Sequence, residues 1–344
     1  MSMPSTFRPF ARAASAFALA LVVASAATAQ EAAPTMKAIR VHRFGGPEVL
    51  QHEDVPRPAP RKGEVLVRVH AAGVNPVDWK IRSGAAKGFN PKLPQIPGFD
   101  VSGVVAALGE GVERFAVGDA VYAYLALGRG GAYAEYVAVP ERELAPKPAK
   151  VDHVHAAAVP LAALTAWQAL FDTAGLKEGQ TVLVHAGAGG VGHFAVQLAK
   201  AKGAKVIATA SARNHKFLRA LGADEVIDYT KQKFEELVRD VDVVLDPIGD
   251  DTLARSYQVL KRGGWVVSIV EPPSKAKLEE LGLHGKVILV EPNGKQLAEI
   301  GALIDAGKVK PEVSATVPLA EARRAHELSE QGHTRGKIVL EIAD

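Results

Sequence analysis

One short stretch of this 344-residue chain constrains its fold more than any other: Gly187-Ala188-Gly189-Gly190-Val191-Gly192. It follows the apolar run TVLVHA and opens the amphipathic segment HFAVQLAKAKG. Strand, G-x-G-x-x-G and helix, in that order, make the opening of a dinucleotide-binding βαβ unit. Gly187 permits the tight turn, Gly189 lets the backbone approach a pyrophosphate, and Gly192 lets the helix pack close on the strand. Gly190 and Val191 lie at the helix N-terminus, where amide donors and the positive end of the helix dipole favour phosphate.

The pattern around this stretch agrees. KVIATAS, EVIDY, DVVLDPIG and WVVSIV read as strands, separated by the helical segments ARNHKFLRALGA, KFEELVRDV and DTLARSYQVLKRGG. VILVEP reads as a further strand and KQLAEIGALIDAG as a further helix, while LAALTAWQALFDTAGL is a helix ahead of the first strand. Such alternation calls for right-handed crossovers and a doubly wound parallel sheet, an α/β fold of Rossmann type.

From Met36 to about Val151 the rhythm is different. KAIRVHRF and EVLVRVHAAGV alternate apolar and polar residues as half-buried strands do, and DVSGVVAALG and GDAVYAY continue the rhythm. Pro56, Pro58, Pro60, Pro91, Pro94 and Pro97 punctuate it, as in loops and edge strands. This part reads as a compact β-barrel-like domain. The tail segments SATVPL and KIVLEI, around the helix LAEARRAHELSEQG, are expected to rejoin it.

The end of the second strand of the βαβ unit selects the cofactor. An acid there, about 20 residues past the glycines, would bind the ribose 2′-hydroxyl of NAD. Here KVIATAS ends in Ser211, followed by Ala212, Arg213 and Asn214. No acid opposes a 2′-phosphate, and hydroxyl, guanidinium and amide donors can receive one, which selects NADPH. The competing reading makes Arg213 and Lys216 the solvated first turn of the next helix.

Composition removes other classes. A net charge of +3 gives no basic field for nucleic acid. With no cysteine, a thiolate zinc site, a disulfide and a cysteine nucleophile are all excluded. The first thirty residues stand apart: Arg8 and Arg12, then the alanine-rich run Ala13 to Ala27, then Ala27-Thr28-Ala29 as a small-x-small cleavage pattern. The run is short for a stable membrane span. Residues 1–29 are expected to be a secretory signal directing the chain to the periplasm or beyond. The alternative is a cytoplasmic protein starting at Met36. An exported NADPH enzyme has no evident supply of its cofactor.

The segments GVNPVDWKIRSG, IPGFDVSG, GDAVYAY, PLAALTAWQAL, HAGAGGVG and TASARNHKFLRALGADEVID together resemble the zinc-independent quinone-oxidoreductase branch of the medium-chain dehydrogenase/reductase superfamily. The resemblance runs from Met36 to the C-terminus. It implies a GroES-like barrel split by an inserted Rossmann domain, with residues 30–156 and 307–344 forming the catalytic part and 157–306 the NADP-binding part. It also implies homodimers and a small carbonyl or quinone substrate. Zinc relatives carry cysteine and histidine where this chain has Asn75 and Phe99, neither a credible zinc ligand. Without that Lewis acid the chemistry that remains is hydride transfer to a quinone or an α,β-unsaturated carbonyl.

Asn75, Asp78 and Lys80 lie on the loop the resemblance places over the nicotinamide. Asn75 is a candidate amide donor, and Lys80 a candidate for stabilising negative charge or giving a proton. Asp78 is either catalytic or a structural acceptor. Thr165 is placed near the cofactor and Tyr229 near the 2′-phosphate by the same resemblance. Tyr229-Thr230-Lys231-Gln232-Lys233 matches Y-x-x-x-K by chance, His185 reads as a satisfied core histidine, and His153 and His155 as surface residues. Arg323, Arg324 and Lys337 read as solvated faces. Two rival functions stand beside the reductase: an enoyl-thioester reductase, and an NADPH-binding sensor or structural protein without turnover.

Overall fold

The computed structural model describes residues 1–2, 4–5, 34–86, 89 and 92–343. The expected signal segment lies almost wholly outside them. The chain from Pro34 onward forms one compact unit. Its strands are β1 (Thr35–Val41), β2 (Leu50–Pro56), β3 (Glu64–Val74), β4 (Asp100–Leu108), β5 (Ala120–Tyr124), β6 (Tyr136–Pro140), β7 (Leu144–Pro146), β8 (Thr181–Val184), β9 (Lys205–Ala210), β10 (Glu225–Asp228), β11 (Val241–Asp246), β12 (Leu260–Ser268), β13 (His284–Val287), β14 (Val313–Pro318) and β15 (Lys337–Glu341). The helices that bear on the site are α1 (Pro76–Arg82), α2 (His153–Ala157), α3 (Pro160–Trp167), α4 (Gly192–Ala201) and α5 (His215–Ala220).

Six strands make a parallel sheet in the order β10-β9-β8-β11-β12-β13. The strand order reverses between β8 and β11, and a doubly wound sheet binds its ligand in the crevice beyond such a switch point. Seven strands make a second sheet in the order β14-β15-β3-β4-β5-β7, with β6 also on β3, and β1 pairs β2 separately. The tail strands β14 and β15 therefore rejoin the N-terminal sheet, as expected. Tyr122 and Tyr124 from that sheet, with Phe99 just ahead of β4, share one buried apolar cluster with Leu164, Val184 and Ile300 from the Rossmann side.

Two segments depart from the sequence reading. Leu260–Gly264, read as the end of a helix, is already extended in β12. Gly263 sits at φ +77, outside the right-handed helical region, so the helix has ended before it. VILVEP, read as a strand, leaves the sheet after Val287, and Ile288, Leu289 and Val290 line a cleft instead.

Candidate active site

The strand register builds the floor of this site. β3 ends at Val74, β15 pairs antiparallel with it through Val74↔Ile338, and β4 pairs on the other side through Gly73↔Asp100. Asn75, Lys337 and Asp100 are thereby brought together from three adjacent strands. Gly73 makes room for this: a Cβ there would lie 2.4 Å from the carbonyl oxygen of Ala157 and 2.9 Å from the Cβ of Asp100.

Asn75 is buried and precedes α1. Its Nδ2 donates to Asp100 Oδ2 at 2.8 Å, and its Oδ1 accepts from Lys337 Nζ. Lys337 Nζ is also 3.5 Å from the same Asp100 oxygen. The second oxygen of Asp100 accepts from the N–H of Leu161 at 2.7 Å, which holds the start of α3. Lys337 is only 3% exposed, so the reading of a solvated strand face fails. Its ammonium is stable inside because Asp100, fully buried, opposes it.

Asp78 lies one turn behind Asn75. It accepts from the Asn75 N–H at 2.9 Å and from the Tyr133 hydroxyl at 2.7 Å. Tyr133 reaches it by passing Gly98, where any Cβ would fall 2.1 Å from its ring. The other Asp78 oxygen is buried without a partner among the described residues. Burial pushes the Asp78 carboxyl up to about 7, against the pull of the Tyr133 and Asn75 hydrogen bonds and the Lys337 charge. Asp100 is raised as well, burial outweighing Lys337.

The raised Asp78 has a signed consequence. The folded chain keeps its proton to about pH 7, while the unfolded chain loses it near pH 3.8. Its contribution is full below the lower value and is lost as pH rises through the upper one. His185, His193 and His326, held by burial at about 3, 4 and 3, act in the opposite sense between there and about 6.5. The difference between wild type and Asp78→Asn isolates the carboxyl. In urea unfolding, wild type minus variant is expected to decline steadily from about pH 4 to pH 7; a flat difference would mean Asp78 is ionised throughout.

The glycine turn is the other wall. A Cβ on Gly192 would lie 2.2 Å from the Ala186 carbonyl oxygen, and one on Gly187 2.9 Å from the Cβ of Ala208. The N–H groups of Gly190 and Val191 donate to no acceptor among the described residues, leaving an anion cradle at the start of α4. His193 fixes the turn from below. Its Nδ1 pairs with the Gly189 carbonyl at 2.9 Å and its Nε2 accepts from the Glu312 N–H at 3.4 Å, so the neutral ring carries its proton on Nδ1.

Between the two walls runs a cleft of about 450 Å³. Asn75, Lys80, Thr165, Gly189, Gly190, Val191, Gly192 and Lys337 line it. Lys80 Nζ has no carboxylate partner among the described residues and lies 5.7 Å from the Trp79 ring. Thr165 donates to the Leu161 carbonyl at 2.7 Å, its lone pairs remaining for a ligand. Ile248, Val270 and Leu289, all well exposed, form an apolar mouth.

Ser211, Arg213, Asn214 and Tyr229 are not among the residues lining this cleft. They sit at the adjacent ends of β9 and β10, where Asp228 pairs with Ala210, so Tyr229 follows beside Ser211. Arg213 is exposed, its guanidinium 3.4 Å from the His333 carbonyl. The nearby acid, Asp228, is turned onto Thr230 at 2.7 Å. His185 is the core histidine expected, held between Thr209 and Ser256. His153 is not a plain surface residue: it stacks on His70 and pairs with Ser102 at 2.8 Å.

No group of three His, Asp or Glu is placed to hold a metal among the described residues. The position of Asn75 is taken up by Lys337 and Asp100, and Phe99 is core, so the two residues at the zinc-ligand places do not fit zinc.

A Rossmann sheet with a glycine cradle facing a second sheet's polar floor defines a nucleotide-dependent dehydrogenase/reductase. The chain belongs to the medium-chain dehydrogenase/reductase superfamily, in its quinone and alkenal oxidoreductase branch. Residues 61–149 match the alcohol dehydrogenase GroES-like domain, and residues 221–340 match the family described as zinc-binding dehydrogenase. The chain is 38% identical over 323 residues to the chloroplast envelope quinone oxidoreductase homolog of Arabidopsis thaliana, covering 89% of this chain and 98% of that one. It is 40% identical over 319 residues to the chloroplastic NADPH-dependent alkenal/one oxidoreductase of the same plant, covering 89% and 79%. Among solved structures, the quinone oxidoreductase from Coxiella burnetii superposes with a TM-score of 0.84 at 41% identity, over 90% of this chain and 99% of that one. The Escherichia coli quinone oxidoreductase complexed with NADPH gives 0.81 at 33%, over 89% and 100%.

Proposed function

We propose that the chain is an NADPH-dependent reductase of quinones or α,β-unsaturated carbonyls. The observation that carries this reading is the cleft itself, with a glycine cradle on one wall, the amide of Asn75 and two lysines on the other, and an apolar mouth. Bound NADPH supplies the hydride, which goes to the quinone or to the β-carbon of the enone, and a proton from solvent or a side chain completes the two-electron reduction. Gly187, Gly189, Gly190, Val191 and Gly192 receive the pyrophosphate. Ser211, Arg213 and Asn214, with Tyr229 alongside, receive the 2′-phosphate. Asn75 and Lys80 face the oxygen on which negative charge grows, Thr165 borders it, and Asp78 holds the Asn75 backbone in place. The division into 30–156, 157–306 and 307–344 and assembly as a homodimer belong to the same proposal. Purified protein is to be given a panel of quinones, enals, enones and enoyl thioesters, with NADPH oxidation as readout. Turnover confined to enoyl thioesters favours the thioester-reductase reading, and tight NADPH binding without turnover favours a sensor.

Cofactor choice is tested separately. NADPH is expected to bind at least about tenfold tighter than NADH, about 1.4 kcal/mol. Ser211→Asp sets a carboxylate against the 2′-phosphate and is expected to weaken NADPH while sparing NADH. Equal affinities in the unaltered protein would remove the 2′-phosphate argument.

Residues 1–29 are proposed as an export signal. N-terminal sequencing of fractionated cells is expected to find Gln30 first in the periplasm; a cytosolic chain beginning at Met36 would refute it.

A further inference from the structure

Lys337 touches both walls of the cleft. Gly336, at φ +66, precedes it, and a Cβ there would lie 2.3 Å from the Glu312 carbonyl oxygen, so only glycine fits. The Gly336 N–H donates to the Ala188 carbonyl at 2.9 Å, fastening the head of β15 to the glycine turn. The aliphatic stem then passes Gly190, where a Cβ would be 3.3 Å from Lys337 Cδ. The ammonium ends on Asn75 Oδ1, with Asp100 at 3.5 Å.

This arrangement leaves the Asn75 amide one orientation. Lysine only donates and an ionised carboxylate only accepts. Held between them, Asn75 must turn Oδ1 to Lys337 and Nδ2 to Asp100. One Nδ2 proton remains for a ligand in the cleft.

We infer that Lys337 and Asp100 are a charged clamp that positions the Asn75 amide for hydride transfer and registers it against the cofactor loop. Both act through Asn75 and are positioning residues. The inference rests on the reductase reading above.

The test removes both charges together. In Lys337→Met/Asp100→Asn no buried charge is left unpaired, so the fold is kept. The amide introduced at position 100 has one acceptor oxygen; with that oxygen on the Leu161 N–H it presents Nδ2 to Asn75, so the Asn75 amide is made to turn over and offer Oδ1. Three quantities are read in wild type and variant: the NADPH dissociation constant by fluorescence titration, the Asn75 side-chain amide resonance by NMR, and the single-turnover hydride-transfer rate with a simple quinone and a simple enal. NADPH affinity is expected to stay within about threefold. The Asn75 amide pair is expected to shift or broaden, and transfer to slow on the order of 10²-fold, as for a reacting group displaced by about 1 Å. Lys337→Arg keeps charge and donors and is expected to retain the amide resonance and to lose less than about tenfold in rate. An unchanged Asn75 resonance in the double variant, or an altered one with transfer within about threefold of wild type, overturns the clamp. So does a loss confined to NADPH affinity. If wild type turns over no quinone or enone, the reductase reading falls, while the amide resonance still decides whether the clamp exists.

Discussion

Lys337→Met alone is expected to cost about 3–5 kcal/mol of folding stability at pH 7. The lost charge is not the main cause. Methionine fits the space of the lysine stem, but it leaves Asp100 ionised, fully buried and without its cation, and leaves Asn75 Oδ1 without a donor. A surface ion pair broken the same way costs at most about 1 kcal/mol, because water replaces the partner. Urea unfolding discriminates between these magnitudes. The deficit is expected to narrow as pH falls, because losing Lys337 raises the already raised Asp100 carboxyl further and lets protonation relieve the penalty. A loss under about 1 kcal/mol at neutral pH would show that solvent reaches the ammonium.

That this lysine was misread from sequence has a physical reason. Its partners Asn75 and Asp100 are 262 and 237 residues away, and only the β15–β3–β4 register brings them together. The glycine turn was legible because everything it needs is local: the strand before it, the helix after it and the close contacts of Gly187 and Gly192. The ends of β9 and β10, which set Tyr229 beside Ser211, follow from the same alternation of strands and helices, since parallel strands in a doubly wound sheet end side by side. Asn75 was found through family resemblance, while Tyr133, Asp100 and Lys337, which hold it, left no local signal. One trace existed. Lys337 heads the run KIVL, buried at every position, and a cation opening such a strand needs a buried partner. The apolar run Ile288–Val290 misled in the other direction, since an apolar stretch facing a ligand cleft looks like one facing a core.

Gly192→Ala is expected to weaken NADPH binding by about 10²-fold, about 2.7 kcal/mol, and to lower stability by about 1–3 kcal/mol through overpacking. The added methyl would sit 2.2 Å from the Ala186 carbonyl oxygen and 2.8 Å from the Gly187 Cα, both backbone atoms that cannot swing aside. Ala186 is itself held at φ +46, a left-handed conformation that leaves little slack. The turn must therefore move as a body, and the Gly190 and Val191 amides move with it. Gly189→Ala separates the two effects. Its methyl would be 3.2 Å from the Ala186 carbonyl oxygen, close enough to need an adjustment of only a few tenths of an ångström. Stability is then expected to change by less than about 1 kcal/mol, while affinity falls about tenfold because the methyl occupies the side on which the pyrophosphate approaches. Calorimetric titration with NADPH, beside urea unfolding of both variants, reads the two quantities independently. Affinity within about threefold of wild type in both variants would mean that the cofactor phosphates lie elsewhere than on this turn.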